Sequence, residues 1–213
     1  MTQVFAGSLA FAVKLISGAQ ARWYDCAPDP KQRIYFANHS SHLDLLVVWA
    51  ALPPEIRGNC RPVAALDYWS KSAGRRFIAH EVFNAVMVTR PDKMAAESRG
   101  AMMRAARSVL DPLLKALDEG SSLILFPEGT RGSGEDVSAF KGGLYHLCKL
   151  RPQVEAVPVG LENLNRILPK GEFLPVPLLG RVSFGPPLQV GAETKDQFLE
   201  RARAAVCALR NQQ

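Results

Sequence analysis

Arg33-Ile34-Tyr35-Phe36-Ala37-Asn38-His39-Ser40-Ser41-His42-Leu43-Asp44-Leu45-Leu46-Val47-Val48-Trp49-Ala50-Ala51 passes from one kind of regular structure to another. Arg33 to Ala37 is a short β-like run and predicts a strand. Leu43 to Ala51 predicts a helix. Polar residues from Asn38 to His42 separate the two. Ser40 or Ser41 is a natural N-cap, which places the break between turn and helix there. Strand-to-helix turns of this kind are where open α/β sheets present reactive groups.

The alternation continues along the chain. Pro62 to Leu66 reads as a short strand, Ser70 to Val82 as helical, and Ala85 to Thr89 as a β-rich run. A long helical stretch is expected from Lys93 to Leu117, kinked or divided by Pro112. Ser122 to Phe126 is an apolar strand leading into Pro127-Glu128-Gly129. Ser138 to Leu150 reads as helical despite Gly142 and Gly143, Val154 to Gly160 and Val182 to Phe184 as strands, and Glu193 to Arg210 as a closing amphipathic helix. No internal repeat interrupts this order, and 213 residues suffice for one sizeable core. The fold class expected is α/β: a single domain with a largely parallel mixed sheet flanked by helices.

The N-terminus is apolar from Val4 to Ile16 apart from Lys14. That run is too short to cross a bilayer, which takes about 20 apolar residues. Ala19-Gln20-Ala21 has the small residues of a signal-peptide cleavage site, but no Lys or Arg precedes the apolar run as a signal peptide requires. Phe5, Leu9, Val13 and Ile16 recur at helical spacing, with Arg22 and Trp23 beyond them. This is the pattern of an N-terminal amphipathic helix, and it suits an interfacial helix and a core helix equally. The organisation expected is a membrane-docking segment over 1–24 and a main domain over 25–213.

The net charge of +6 asks for an anionic partner: nucleic acid, acidic lipid or a phosphorylated metabolite. The basic residues are dispersed and accompany no recognised nucleic-acid motif, so no nucleic-acid partner is expected. Lys71, Arg75 and Arg76 cluster beside Trp69 and Phe77, as a solvated helix face or as a dock for acidic headgroups or phosphates. Cys26, Cys60, Cys148 and Cys207 are scattered with no C-x-x-C pair, which fits a reducing cytoplasm.

Asp44 follows His39 by five positions, which on one continuous helix would set them about 140° apart. They meet only if His39 stays in the loop while Asp44 enters the first helical turn. The carboxylate then holds one imidazole nitrogen and leaves the other free as a base. The bland alternative is a loop histidine beside a capping-region acid. A metal site built from His39, His42 and Asp44, as in a metal-dependent hydrolase, is the other alternative. The His-x-x-His-x-Asp spacing lacks the i, i+4 pair of a helical zinc protease, so no metal is expected.

A second constellation is Leu125-Phe126-Pro127-Glu128-Gly129-Thr130-Arg131-Gly132. An acid, a glycine, a hydroxyl and an arginine at a strand end make an anion cradle. Arg131 offers a planar fork for phosphate, and Gly129 lets the backbone come close. Phe140-Lys141-Gly142-Gly143 adds a second cation beside glycines.

With these two stretches together, the chain resembles the glycerophospholipid acyltransferases typified by 1-acylglycerol-3-phosphate acyltransferase. Their motif of Asn-His followed by four residues and then Asp is matched by Asn38, His39 and Asp44. Phe126 to Arg131 matches their Phe-Pro-Glu-Gly-Thr-Arg motif. Asn84 to Arg90 corresponds to their second motif, departing from it at Asn84, Met87 and Thr89, and Val157-Pro158-Val159 corresponds to their fourth. The resemblance implies His39 as general base, with Asp44 orienting it. It implies Glu128, Gly129, Thr130, Arg131 and Arg90 as substrate-binding residues, with Glu128 bonding the acceptor or bracing an arginine. It implies a lysophospholipid acceptor, most of all 1-acylglycerol-3-phosphate, and an acyl thioester donor, acyl-CoA or acyl carrier protein, as co-substrate with no further cofactor. An anionic membrane surface, met from the cytoplasmic face as a peripheral or monotopic enzyme, completes the expectation. The rivals are the metal-dependent hydrolase and a non-catalytic lipid-binding protein; the latter has no need of a base.

Overall fold

The computed structural model describes residues 2–41, 43–89, 99–164 and 179–212. Helix α1 (Thr2–Ser17) leads into strand β1 (Gln20–Trp23), and β2 (Arg33–Ala37) into α2 (Asp44–Ala51). Then come α3 (Pro54–Arg57), β3 (Cys60–Ala65), α4 (Leu66–Trp69), α5 (Ala73–Phe77), a π-helical turn at Ile78–Val82 and β4 (Val86–Val88). Helix α6 (Arg99–Asp118), β5 (Ser122–Leu125), α7 (Gly143–Leu150), β6 (Glu155–Glu162), β7 (Arg181–Phe184) and α8 (Lys195–Arg210) follow.

The strands form one seven-stranded sheet in the order β1-β7-β6-β2-β5-β3-β4. β6, β2, β5, β3 and β4 are mutually parallel. β7 runs antiparallel to β6, and β1 lies parallel to β7. The expected largely parallel mixed sheet is the one observed. Its centre is covered on both faces, which is why every residue of β2 and β5 is buried. The period of two along β2 sends Tyr35 and Ala37 to one core and Ile34 and Phe36 to the other. The first core is closed by α1, α2 and the π-helical turn, and the second by α6, α7 and α8. α8 packs closely on Gly160 of β6: a Cβ there would sit 2.7 Å from the amide nitrogen of Arg210.

Pro158 lies inside β6 with neighbours on both sides, an unusual place for a residue that cannot donate to a ladder. Its carbonyl accepts from the Gly185 amide, so its donorless nitrogen faces the same side. β7 has ended there at Phe184, and no ladder bond is lost.

Several elements differ from the sequence reading; the short helices α3 and α4 were not expected, and Leu66 opens α4 where a strand end was read. Gln20–Trp23 is an edge strand, with Trp23 stacked on Phe184 at 4.0 Å, whereas Trp23 read as a residue beyond an amphipathic helix. α6 is not divided at Pro112, and the start expected for it at Lys93 lies outside the described residues. Ser70 to Val82 is two short turns of different pitch, α5 capped by the Ser72 side chain and then the π-helical turn. α7 begins at Gly143, not Ser138, because the amides of Ser138 and Lys141 are bonded to Glu128 and to the Pro127 carbonyl. No helix among the described residues is long and apolar enough to cross a membrane.

Candidate active site

β2 and β5 are adjacent and parallel, with Phe36 opposite Leu125. Their C-terminal ends therefore deliver Asn38-His39 and Phe126-Pro127-Glu128 side by side. The helix after β2 packs on one face of the sheet and the helix after β5 on the other. Adjacent strands whose connections leave to opposite faces open a crevice between them, the usual ligand position in such sheets.

Asn38 releases the backbone from the sheet at this point. The β2–β6 ladder ends at Ala37 opposite Val159. Beyond it the Asn38 side chain donates to the Leu161 carbonyl at 3.0 Å and accepts from the Leu161 amide at 2.8 Å. The side-chain amide takes up the bonds a continuing strand would make, and the main chain at His39 is free to turn. Both groups are buried, so both bonds are needed.

The His39 main chain is captured by the second constellation. Its amide donates to Glu128 Oε1 at 2.6 Å, and its carbonyl accepts from the Gly132 amide at 2.8 Å. Glu128 Oε2 accepts from the Ser138 amide at 2.9 Å. Glu128 therefore braces the His39 loop against the 129–141 loop through backbone amides, a pair of contacts the sequence did not indicate. Its carboxylate is 4 % exposed with both oxygens engaged.

His39 Nδ1 lies 2.8 Å from Asp44 Oδ2. A carboxylate only accepts, so the nitrogen facing it carries the proton, and in the neutral ring Nε2 holds the lone pair. Among the described residues Nε2 has no hydrogen-bond partner. The ring stacks on Phe126 with centroids 4.3 Å apart, which fixes its plane. Asp44 Oδ2 also accepts from the amides of Ser40 at 2.6 Å and Ser41 at 2.8 Å, and the carboxylate is fully buried. The expected serine N-cap is thus inverted: Asp44 in the first turn reaches back to the loop amides, and α2 starts without a side-chain cap. The purpose is legible in the geometry, since one oxygen orders both the loop and the imidazole.

Gly129 adopts φ +72°, a conformation that favours glycine. Thr130 and Arg131 are exposed at the mouth of the crevice, and among the described residues Arg131 has no carboxylate partner. The loop that carries them is tied from behind by α8. Arg203 donates to the Val137 carbonyl at 3.0 Å and Arg210 to the Gly134 carbonyl. Phe140 packs edge-on against Phe36. Sequence reasoning missed Arg203 and Arg210, whose helical spacing marks a solvated face and says nothing of the loop beneath it.

Arg90 and His42 lie outside the described residues. Of the hydrolase alternative's remaining ligands, Asp44 Oδ2 is already shared among His39 and two backbone amides.

Residues 24–162 match the family model described as Acyltransferase. The chain is 28% identical over 146 residues to human 1-acyl-sn-glycerol-3-phosphate acyltransferase alpha, covering 68% of this chain and 46% of that protein. It is 29% identical over 169 residues to 1-acyl-sn-glycerol-3-phosphate acyltransferase of Limnanthes alba, covering 79% and 54%. The chain thus spans about half the length of the curated relatives it matches. The crystal structure of the 1-acyl-sn-glycerophosphate (LPA) acyltransferase PlsC from Thermotoga maritima shares the fold, with a TM-score of 0.73 at 19% identity, covering 99% of this chain and 80% of that one.

Proposed function

Because this chain belongs to the acyltransferase family, we propose that it moves an acyl group from a thioester to the free hydroxyl of 1-acylglycerol-3-phosphate, giving phosphatidate. The observation that carries this reading is the 2.8 Å pair of His39 and buried Asp44, with the second imidazole nitrogen unengaged at the crevice.

His39 Nε2 takes the proton of the acceptor hydroxyl as its oxygen attacks the thioester carbonyl carbon. A C–O bond forms and the C–S bond breaks. The departing thiolate takes the proton back from the imidazolium, so base and buried carboxylate return to their starting state. Asp44 offsets the transient positive charge on the ring and prevents its rotation. A positioned base of this kind contributes about 10²–10⁴-fold. Holding both substrates in line supplies much of the remainder. No covalent acyl-enzyme is required, and the chain lacks a Gly-x-Ser-x-Gly nucleophile elbow.

Arg131 holds the acceptor phosphate, with Gly129 and Thr130 lining the approach and Arg90 as a further cation. The thioester of acyl-CoA or acyl carrier protein is the co-substrate, and no other cofactor takes part.

The acceptor resides in a bilayer, so the crevice must reach one. α1 buries Ala10 and Val13 against the core and leaves Phe5, Phe11, Leu15 and Ile16 exposed. Phe77 on α5 meets Phe5 edge-on at 5.9 Å and extends the apolar surface, with Lys14, Lys71 and Arg76 exposed around it. Apolar side chains ringed by cations suit docking on an anionic leaflet without spanning it. The enzyme then acts peripherally or monotopically at the cytoplasmic face.

The test is a panel of lysophospholipids and glycerol-3-phosphate incubated with labelled acyl-CoA and read by mass spectrometry. Label in phosphatidate, with little in the other products, is the expected result. Label only in other products, or only in free fatty acid, overturns the proposal.

A further inference from the structure

Lys141 is the cation of this loop to which the sequence motif assigns no role. Its backbone amide is bonded to the Pro127 carbonyl at 2.8 Å, which pins the start of its side chain beside the Glu128 turn. From there the side chain is laid across Gly129. A Cβ built on Gly129 would run into Lys141 Nζ, and would sit 2.9 Å from Cε and 3.0 Å from Cδ. Glycine at 129 therefore does two things: it adopts φ +72°, and it leaves the space that the lysine stem occupies. Lys141 is exposed, and among the described residues no carboxylate pairs with it. Several arginines elsewhere in the domain are paired with carboxylates: Arg151 with Asp118, Arg201 with Glu193 and Arg203 with Glu200. Lys141 and Arg131 are both exposed, they belong to one loop, and among the described residues neither pairs with a carboxylate.

We propose that Lys141 is a second phosphate-binding residue, which with Arg131 grips the phosphomonoester of the acceptor from the side of Gly129. The proposal rests on the acyltransferase reading above. The placement suits this ligand chemically. In 1-acylglycerol-3-phosphate the reacting hydroxyl and the phosphate sit on neighbouring carbons, so the phosphate cations must stand close to the base. The Glu128–Gly132 turn touches the base loop directly, through the bonds of Glu128 and Gly132 to His39. The Lys141 side chain lies across the same turn at Gly129. Arg131 supplies a flat fork, and Lys141 a compact point charge on a flexible stem that follows the phosphate as it seats. The same chemistry is available on the phosphates of acyl-CoA, and the assay must separate the two sources.

The experiment compares wild type with Lys141→Met, which keeps the stem and removes the charge, and Lys141→Arg, which restores a charge. Steady-state constants are measured for 1-acylglycerol-3-phosphate, for the phosphate-free 1-acylglycerol and for the acyl-CoA. Losing one charge-assisted contact predicts that Lys141→Met raises the KM for the phosphorylated acceptor about tenfold. The ratio of kcat/KM between phosphorylated and phosphate-free acceptors should fall by the same factor, and Lys141→Arg should recover most of it. An unchanged ratio in an active Lys141→Met enzyme removes Lys141 from the acceptor site and leaves the acyltransferase reading intact. A rise confined to the acyl-CoA constant moves the lysine to the donor and overturns the proposal in the same way. A wild type that never acylates a phosphorylated acceptor takes down both.

Discussion

Replacing Glu128 with Gln should slow turnover and lower stability together, with little change in acceptor affinity. The carboxylate joins two loops through two backbone amides, His39 N at 2.6 Å and Ser138 N at 2.9 Å, in a buried position. Glutamine keeps the shape and has one acceptor oxygen. Whichever way the amide is turned, its NH₂ meets one of the two backbone donors. One charge-assisted bond is lost, about 1.5–3 kcal/mol, and one buried N–H is left unsatisfied, about 1–3 kcal/mol. Partial relaxation brings the sum to roughly 3–5 kcal/mol, within the 5–15 kcal/mol that holds a domain folded, so the variant still folds. The melting temperature should fall by roughly 6–20 °C for a chain of this size. His39 loses its main-chain anchor at the same time. Misplacement of a base by about 1 Å costs on the order of 100-fold in kcat. The assay is turnover at saturating donor and acceptor, with thermal melting of the same sample. An enzyme that keeps its kcat and melting temperature but binds the acceptor ten times more weakly would refute this reasoning. Glu128 would then be a ligand of the substrate and not a brace.

Further substitutions test the remaining roles. His39→Ala should abolish transfer in a folded protein, and Asp44→Asn should lose most of it, since the imidazole loses its charged partner; near-normal turnover in a well-folded His39→Ala rejects the mechanism. Arg131→Ala removes an exposed cation and should raise the acceptor KM about tenfold while sparing the donor constant. The double change of Phe11 and Leu15 to Ser alters side chains that are 70% and 74% exposed, so melting should be unmoved. Flotation with anionic vesicles should drop and long-chain acceptors should react more slowly; equal flotation would leave α1 a helix of the domain with no part in docking. Deleting residues 1–24 is a poorer test, because it also removes strand β1 and the Trp23–Phe184 stack.

What the sequence determined by itself is the order of the central strands and main helices, and the pair at the heart of the site. Local patterns carry this information: a buried strand reads as a short apolar run, and His39 and Asp44 sit on one turn, close enough that the strand-to-helix break alone decides whether they meet. β1 was illegible because Gln20-Ala21-Arg22-Trp23 becomes a strand only by pairing with β7, more than 150 residues away in the chain. The start of α7 was misread because helical pattern in 138–142 is overridden by bonds to Pro127 and Glu128 from another strand end. The bonds of Glu128 to the amides of His39 and Ser138 were illegible because no side-chain pattern records a backbone partner. The roles of Asn38, Arg203, Arg210 and Lys141 likewise depend on what lies opposite them across the sheet or the loop. Tertiary structure alone decided these points, because a hydrogen bond to a distant main chain depends on where folding brings that chain and leaves no trace in the identity of the residue that accepts it.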